Sequence, residues 1–314
     1  MDIMTKHLVA KDFVGSKRIP HPIPYQGSKR GLAPAISRFV RKKAKTLYEP
    51  FAGSAAFTLY AAANGLADRF VIGDSLVPLV ELWERIVKSP ANVVAQYADI
   101  WAKQSKAGPE YFNSVREEFN STRDPVMLLY LVARCVKNAV RFNSTGRFTQ
   151  SVDKRRLGMH PDKMKFNIEA AHYLLKGRVS FFKGDVVDCI AEANSYDLVY
   201  MDPPYQGTTY GRDKRYFQGI EFEDLCSVLD TLQNNDVSFL LSYDGMTGDK
   251  KHGRDLPSEL DAFRVFLNAG RSSQATLNGN TAVTLESLYI WGELTNVEIQ
   301  TPKKLLANQL TFAL

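Results

Sequence analysis

A chain of 314 residues, 45% hydrophobic and 24% charged, has ordinary globular composition and can bury a full core, which excludes a small fold held together by disulfides or a metal. Its net charge of +6, from 40 Lys and Arg against 34 Asp and Glu, suits a polyanionic partner but is equally compatible with a solvated surface. Three cysteines, Cys135, Cys189 and Cys226, form no close-spaced set, so neither a disulfide framework nor a metal site is expected and the thiols read as reduced in a cytoplasmic protein.

The opening MDIMTKHLVAKDF carries charges of both signs and lacks the apolar centre of an export signal. The most apolar run, PVMLLYLVARCVKNAV at 125–140, is too short for a bilayer and contains Arg134 and Lys137. It is expected as a buried core helix, and no membrane partner is expected.

TLYEPF (46–51) predicts a short strand, AGSAA a small-residue turn, and FTLYAAANG a helix stopped by Gly65. RFVIGD (69–74) predicts a second strand, completing a strand–turn–helix–strand unit of a parallel sheet. Residues 75 to 140 are then rich in helical patterns without a clear strand. The α/β alternation returns with RVSFFKGD (178–185), YDLVYMD (196–202), a helix over DLCSVLDTLQNN and a strand over VSFLLSYD (237–244). RSSQATL and TAVTLESLYIW flank Asn278–Gly279, a hairpin signal. The simplest organisation is one α/β sheet domain, 1–80 with 166–314, interrupted by a helical and hairpin insertion over 81–165.

Three predicted strands end on acids: Asp74, Asp185 and Asp202. Each could simply cap a following helix. Around the small-residue turn EPFAGSAA, however, they outline a rim suited to a nucleoside-bearing ligand, with Asp74 at the ~20-residue separation at which an acid binds a ribose. The turn has only Gly53 and is not GxGxxG, which argues against a nicotinamide or flavin enzyme. In YMDPPYQG (200–207), Pro203 and Pro204 lack amide donors but keep their carbonyls. With the Asp202 carboxylate they present only acceptors, and Tyr205 offers a ring to stack on: a holder for a planar heterocycle bearing an amino group.

These motifs together resemble the Dam-like class of DNA methyltransferases, over about residues 20 to 292. IPYQGSKR is similar to the N-terminal cofactor motif, EPFAGSAA to the loop at the methionine side, RFNSTGRF and the basic stretch after it to a target-recognition hairpin, and MDPPY to the catalytic motif. The resemblance implies an α/β, Rossmann-like methyltransferase sheet with a helical target-recognition insertion, methylating adenine N6 in duplex DNA from S-adenosyl-L-methionine. It implies Asp202, Pro203, Pro204 and Tyr205 as catalytic residues, and Tyr25, Gly27, Lys29, Glu49, Phe51, Gly53, Ser54, Asp74 and Asp185 as cofactor-binding. Arg141, Asn143, Arg147, Lys154, Arg155 and Arg156 are the expected DNA contacts, the first two at base edges and the KRR cluster at phosphates. No metal is implied; a cognate restriction endonuclease acting separately is a partner where the enzyme belongs to such a pair. Two departures stand out: Ala55 replaces a usual second glycine, and YQGSK replaces aromatic–Ala–Gly–Gly–Lys, with Pro24 where a basic residue is common. N4-cytosine methylation, protein-glutamine or RNA methylation, and a non-catalytic DNA-binding relative are the alternatives.

Overall fold

The computed structural model describes residues 19–108, 110–204, 220–247, 250–271 and 283–296. Strands β1 (Ala44–Glu49), β2 (Ala67–Asp74), β3 (Val179–Lys183), β4 (Leu198–Met201), β5 (Ser238–Thr247), β7 (Phe263–Arg271) and β8 (Val283–Trp291) lie in the order β3-β2-β1-β4-β5-β8-β7, with β6 (Lys250–His252) paired to β5. The first five are mutually parallel, whereas β8 runs antiparallel to both β5 and β7. The chain order reverses between β1 and β4, opening a crevice where ligands of doubly wound sheets settle.

The central strands alternate between two cores, because a parallel sheet covered on both faces must be apolar on both. Leu198 and Tyr200 of β4 enter one core; Val199 and Met201 enter the other. The first core is covered by helices α1 (Ala56–Asn64), α2 (Val77–Lys88), α3 (Pro90–Ala107), α4 (Glu110–Thr122), α5 (Pro125–Arg134) and α6 (Pro161–Leu175). Helix α7 (Phe222–Asn234) and the single turn Val186–Cys189 cover the second. Gly65 ends α1 at φ 68, the left-handed stop its position in the sequence implies.

Helix α5 begins as the residues dictate, with the Asp124 carboxylate accepting from Val126 N at 2.7 Å and Pro125 in the first turn. It ends at Arg134, six residues short of the expected Val140. Buried Arg134 donates to Gln104 Oε1 at 2.9 Å and to the Asp153 carbonyl, and Cys135 leaves the helix in extended geometry to bridge Val152. A hydrophobic run is blind to that tertiary anchor.

The strands flanking the expected hairpin are antiparallel partners: β7 runs to Arg271, the first residue of RSSQATL, which pairs with Val283 of TAVTLESLYIW, while the rest of RSSQATL and Asn278–Gly279 lie outside the described residues. Helix α2 packs on β2 and β3 and α6 on α1, α2 and α3, so the helical segment and the sheet share one continuous core. No helix among the described residues is long and apolar enough to cross a membrane.

Candidate active site

The turn after β1 is built by residues that tolerate unusual backbone. Gly53 has φ +48, and the Tyr25 ring lies 3.5 Å from where its Cβ would stand. Ala55 adopts φ 47, ψ 41, which explains why a glycine is usual there: a left-handed L-residue costs roughly 1–2 kcal/mol. At the neighbouring strand end, a Cβ on Gly73 would sit 2.5 Å from Cys189 Sγ and 3.2 Å from Pro50 Cα. Glycine at 73 therefore lets β2, the turn and the 186–189 segment close around one crevice.

Asp74 organises that crevice. Its Oδ2 accepts from Gly53 N at 3.0 Å and its Oδ1 from Leu76 N at 2.9 Å. Burial raises its pKa, opposed by those two amides. Ser54 Oγ and Ser28 Oγ are 2.8 Å apart, tying the YQGSK segment to the turn, and Gln26 N donates to the Asn138 carbonyl at 3.0 Å.

Glu49, at the end of β1, is buried and accepts from Thr58 N at 2.7 Å; burial, partly countered by that bond, pushes its carboxyl up to about 7. Asp202 follows β4, beside the Tyr200 side chain, whose hydroxyl lies 3.0 Å from Ser242 Oγ. Burial pushes Asp202 up to about 6, against the pull of Lys29. Lys29 Nζ stands 2.7 Å from Asp202 Oδ1 and 3.5 Å from Glu286 Oε2.

Thus one cavity is lined by Tyr25, Gly27, Lys29, Glu49, Phe51, Gly53, Ser54, Asp74, Asp202, Pro203 and Pro204, eleven of the residues expected from sequence. Asp185 is placed differently. It caps the turn 186–189, accepting from Asp188 N at 3.0 Å, and lines a neighbouring groove that shares Phe51 and Ser75 with the first cavity. Tyr205 lies outside the described residues.

The model of the D12 class N6 adenine-specific DNA methyltransferases matches residues 25–267, a span that holds all of this crevice except Glu286. The chain belongs to this family. It is similar to the DNA adenine methylase of Escherichia coli K12, 28% identical over 189 residues, 58% of this chain and 64% of that protein. It is similar also to the DNA adenine methylase of Salmonella typhi (26% over 188 residues, again 58% and 64%). The type II methyltransferase M.FokI of Planomicrobium okeanokoites is 26% identical over 236 residues, 71% of this chain and 35% of that protein. The chain spans just under two thirds of the length of the DNA adenine methylases it matches.

For a family member, the basic residues of the helical segment are the other point of interest. Phe142 and Phe148 bridge in antiparallel fashion, so RFNSTGRF does form a hairpin. Asn143 Oδ1 accepts from Thr145 N at 3.1 Å and Arg147 N at 2.8 Å, which commits its carbonyl to shaping the turn. Arg147 is exposed and paired with Glu117 of α4. Arg141 is half-buried beside Phe142. Arg155 and Arg156 reach back to Asp153 at 3.2 and 2.9 Å, while Lys154 is exposed.

Two residues escaped the sequence reading. Glu286 is one acid in an alternating strand, and nothing local marks it. Gln26 stands within the quoted YQGSK motif, but only the structure shows its Oε1 buried without a hydrogen-bond partner among the described residues and at the cavity wall.

Proposed function

We propose that this chain is a site-specific DNA methyltransferase that modifies adenine N6 in duplex DNA, with S-adenosylmethionine as methyl donor. The observation that carries it is Asp202 at the end of β4, held at the crevice by Lys29 and followed by two prolines that contribute no donor. Such a site is complementary to a group with two N–H bonds.

The crevice fits the donor molecule. Asp74 retains acceptor capacity for ribose hydroxyls beyond its two amide bonds, and Phe51 offers an apolar wall shared between cavity and groove. Gln26 Oε1 is an orphaned buried acceptor, the kind of atom that a ligand amine satisfies. Tyr25, Lys29, Gly53 and Ser54 would hold the amino-acid end, and Asp185 the base end of the same ligand. When bound, the donor supplies an electrophilic methyl on a sulfonium.

The protein then supplies position and charge. An aromatic amine is a weak nucleophile because its lone pair is delocalised into the ring. Asp202 and the Pro203 carbonyl would accept its two N–H bonds and draw the nitrogen towards tetrahedral geometry, restoring lone-pair character. As positive charge develops there, the Asp202 carboxylate stabilises it and gives the proton a way out. The amine is out of reach in a stacked duplex, so the base must be flipped out, with Tyr205 replacing part of its stacking. The segment 81–165 would carry target recognition, through Arg141, Asn143 and Arg147 of the hairpin and Lys154, Arg155 and Arg156 beyond it, and a separate cognate endonuclease would be a functional partner.

The deciding experiment is Asp202→Ala with tritiated donor and duplex DNA, followed by nucleoside digestion. Expected are loss of methyl transfer, retained donor binding by calorimetry, and N6-methyladenine as the wild-type product. Undiminished turnover of the variant sinks the mechanism, and N4-methylcytosine as product replaces the substrate.

A further inference from the structure

Glu286 enters the crevice through an irregularity in the sheet. Between the pairs Ser242–Leu288 and Gly245–Glu286, strand β5 carries one residue more than β8. Such a bulge re-aims side chains beside it. Asp244 takes a left-handed φ of 55 within it, and its buried carboxylate is held by Arg264 at 2.9 Å and by the Tyr289 hydroxyl at 3.0 Å. A Cβ on Gly245 would lie 2.4 Å from the Leu285 carbonyl oxygen and 3.3 Å from Glu286 Cα, so only glycine allows the strands to close at this point. The result is a second carboxylate paired with Lys29 at the cavity wall, its Oε2 buried and without a hydrogen bond among the described residues, 3.5 Å from Lys29 Nζ.

Lys29 creates a difficulty for the transfer reaction. Its ammonium occupies Asp202 Oδ1, the acceptor that the amine needs, and a fixed positive charge there opposes the positive charge growing on nitrogen. We propose that Glu286 is the alternate counter-ion of Lys29: it takes the ammonium when Asp202 turns to the target amine, leaving the Asp202 carboxylate free to accept. Glu286 is thus a positioning residue, acting through Lys29, and its role rests on the transfer reaction proposed above.

The charged and titratable groups around this relay are Lys29 before α1, Glu49 at the end of β1, Tyr200 and Asp202 from β4, and Glu286 from β8. Of these, Lys29 holds the Asp202 carboxyl down and Glu286 holds it up. Removing the charge of Glu286 therefore leaves a visible mark on Asp202 without any turnover.

The test is Glu286→Gln, in single-turnover assays at saturating donor and DNA and by carboxyl carbon NMR of Asp202 in the ligand-free protein. Expected are a single-turnover rate at least about tenfold slower, donor affinity within about twofold, and an Asp202 titration moved to lower pH. Glu286→Asp, which keeps the charge on a shorter arm, should recover part of the rate, and it carries the rate measurement if the Gln variant does not fold. In a Lys29→Gln background the Glu286 substitution should have no further effect on rate. Wild-type rate and unmoved Asp202 titration in the Gln variant overturn the relay, as does full additivity with Lys29→Gln. Either result leaves the Asp202→Ala test of the reaction itself untouched, so the two readings fail separately.

Discussion

Asp74 holds the backbone of Gly53 and of Leu76 with its two carboxylate oxygens, at 3.0 and 2.9 Å, so that one buried side chain fixes both the turn after β1 and the turn after β2. An amide in its place puts an NH2 against one of these N–H donors. We predict that Asp74→Asn destabilises the free protein by about 1–3 kcal/mol, the cost of a buried unsatisfied donor. Donor affinity should fall at least about tenfold, because the ribose acceptor and the turn are lost together. Thermal unfolding without donor and calorimetry with it read the two effects separately.

The raised carboxyls give a pH dependence whose sign can be worked out. Glu49 titrates at about 7 in the folded chain against an ordinary 4.5, so folding favours its protonated form. Its contribution to stability is full below about 4.5 and is lost as pH rises through about 7. Glu49→Gln cannot ionise. The unfolding temperature of this variant relative to wild type should therefore climb between pH 4.5 and 8, and a constant difference would show that Glu49 is not buried as charged.

Asp202 obeys the same logic in catalysis. It accepts the amine only when ionised and titrates at about 6 in the ligand-free protein, raised by burial. The pH profile of kcat/KM, which reports the free protein, should fall by about tenfold for each pH unit below that value. A flat kcat/KM from pH 5 to 8 would remove Asp202 as the acceptor.

The order of motifs and the strand ends that carry Asp74 and Asp202 were legible in the sequence because both are local: apolar runs closed by turns and acids. Hidden were features that depend on distant partners. Helix α5 stops early because Arg134 finds Asp153 and Gln104, far along the chain. Strand β7 was missed since Phe266 faces out and Arg264 is spent on Asp244 and Asp255, which blurs its alternation. Glu286 reaches the crevice only through the β5 bulge, and no periodicity announces that. Asp185 kept its reading as a helix cap, whereas it lines the adjoining groove and not the cavity that holds Asp74 and Asp202.

The bulge itself should be sensitive to its lock. Asp244 is fully buried and paired with Arg264, which also holds Asp255 at 2.7 Å. Asp244→Ala breaks the pair and puts alanine at positive φ, for an expected loss of about 3–5 kcal/mol in chemical unfolding. Asp244→Asn tolerates the left-handed backbone and keeps hydrogen bonds to Arg264, so it should cost clearly less. Equal losses would show that the charge alone, not the backbone of the bulge, sets the stability.

On the recognition side, Arg147 is paired with Glu117 across the exposed surface of the hairpin and α4. An exposed pair contributes little to folding, about 0–1 kcal/mol, so Glu117→Ala should leave the unfolding transition almost unchanged. The same substitution removes a negative charge beside an arginine proposed to face DNA. We predict tighter binding of duplex DNA, by about two- to fivefold at low salt, with a steeper dependence on salt as another cation becomes available for phosphate. Combining it with Arg147→Ala should abolish the gain. If Arg147 reads a base, its loss alone relaxes sequence preference, whereas a phosphate contact weakens all sequences alike. A Glu117→Ala protein that binds DNA as wild type does, at every salt concentration, would place the hairpin away from the DNA.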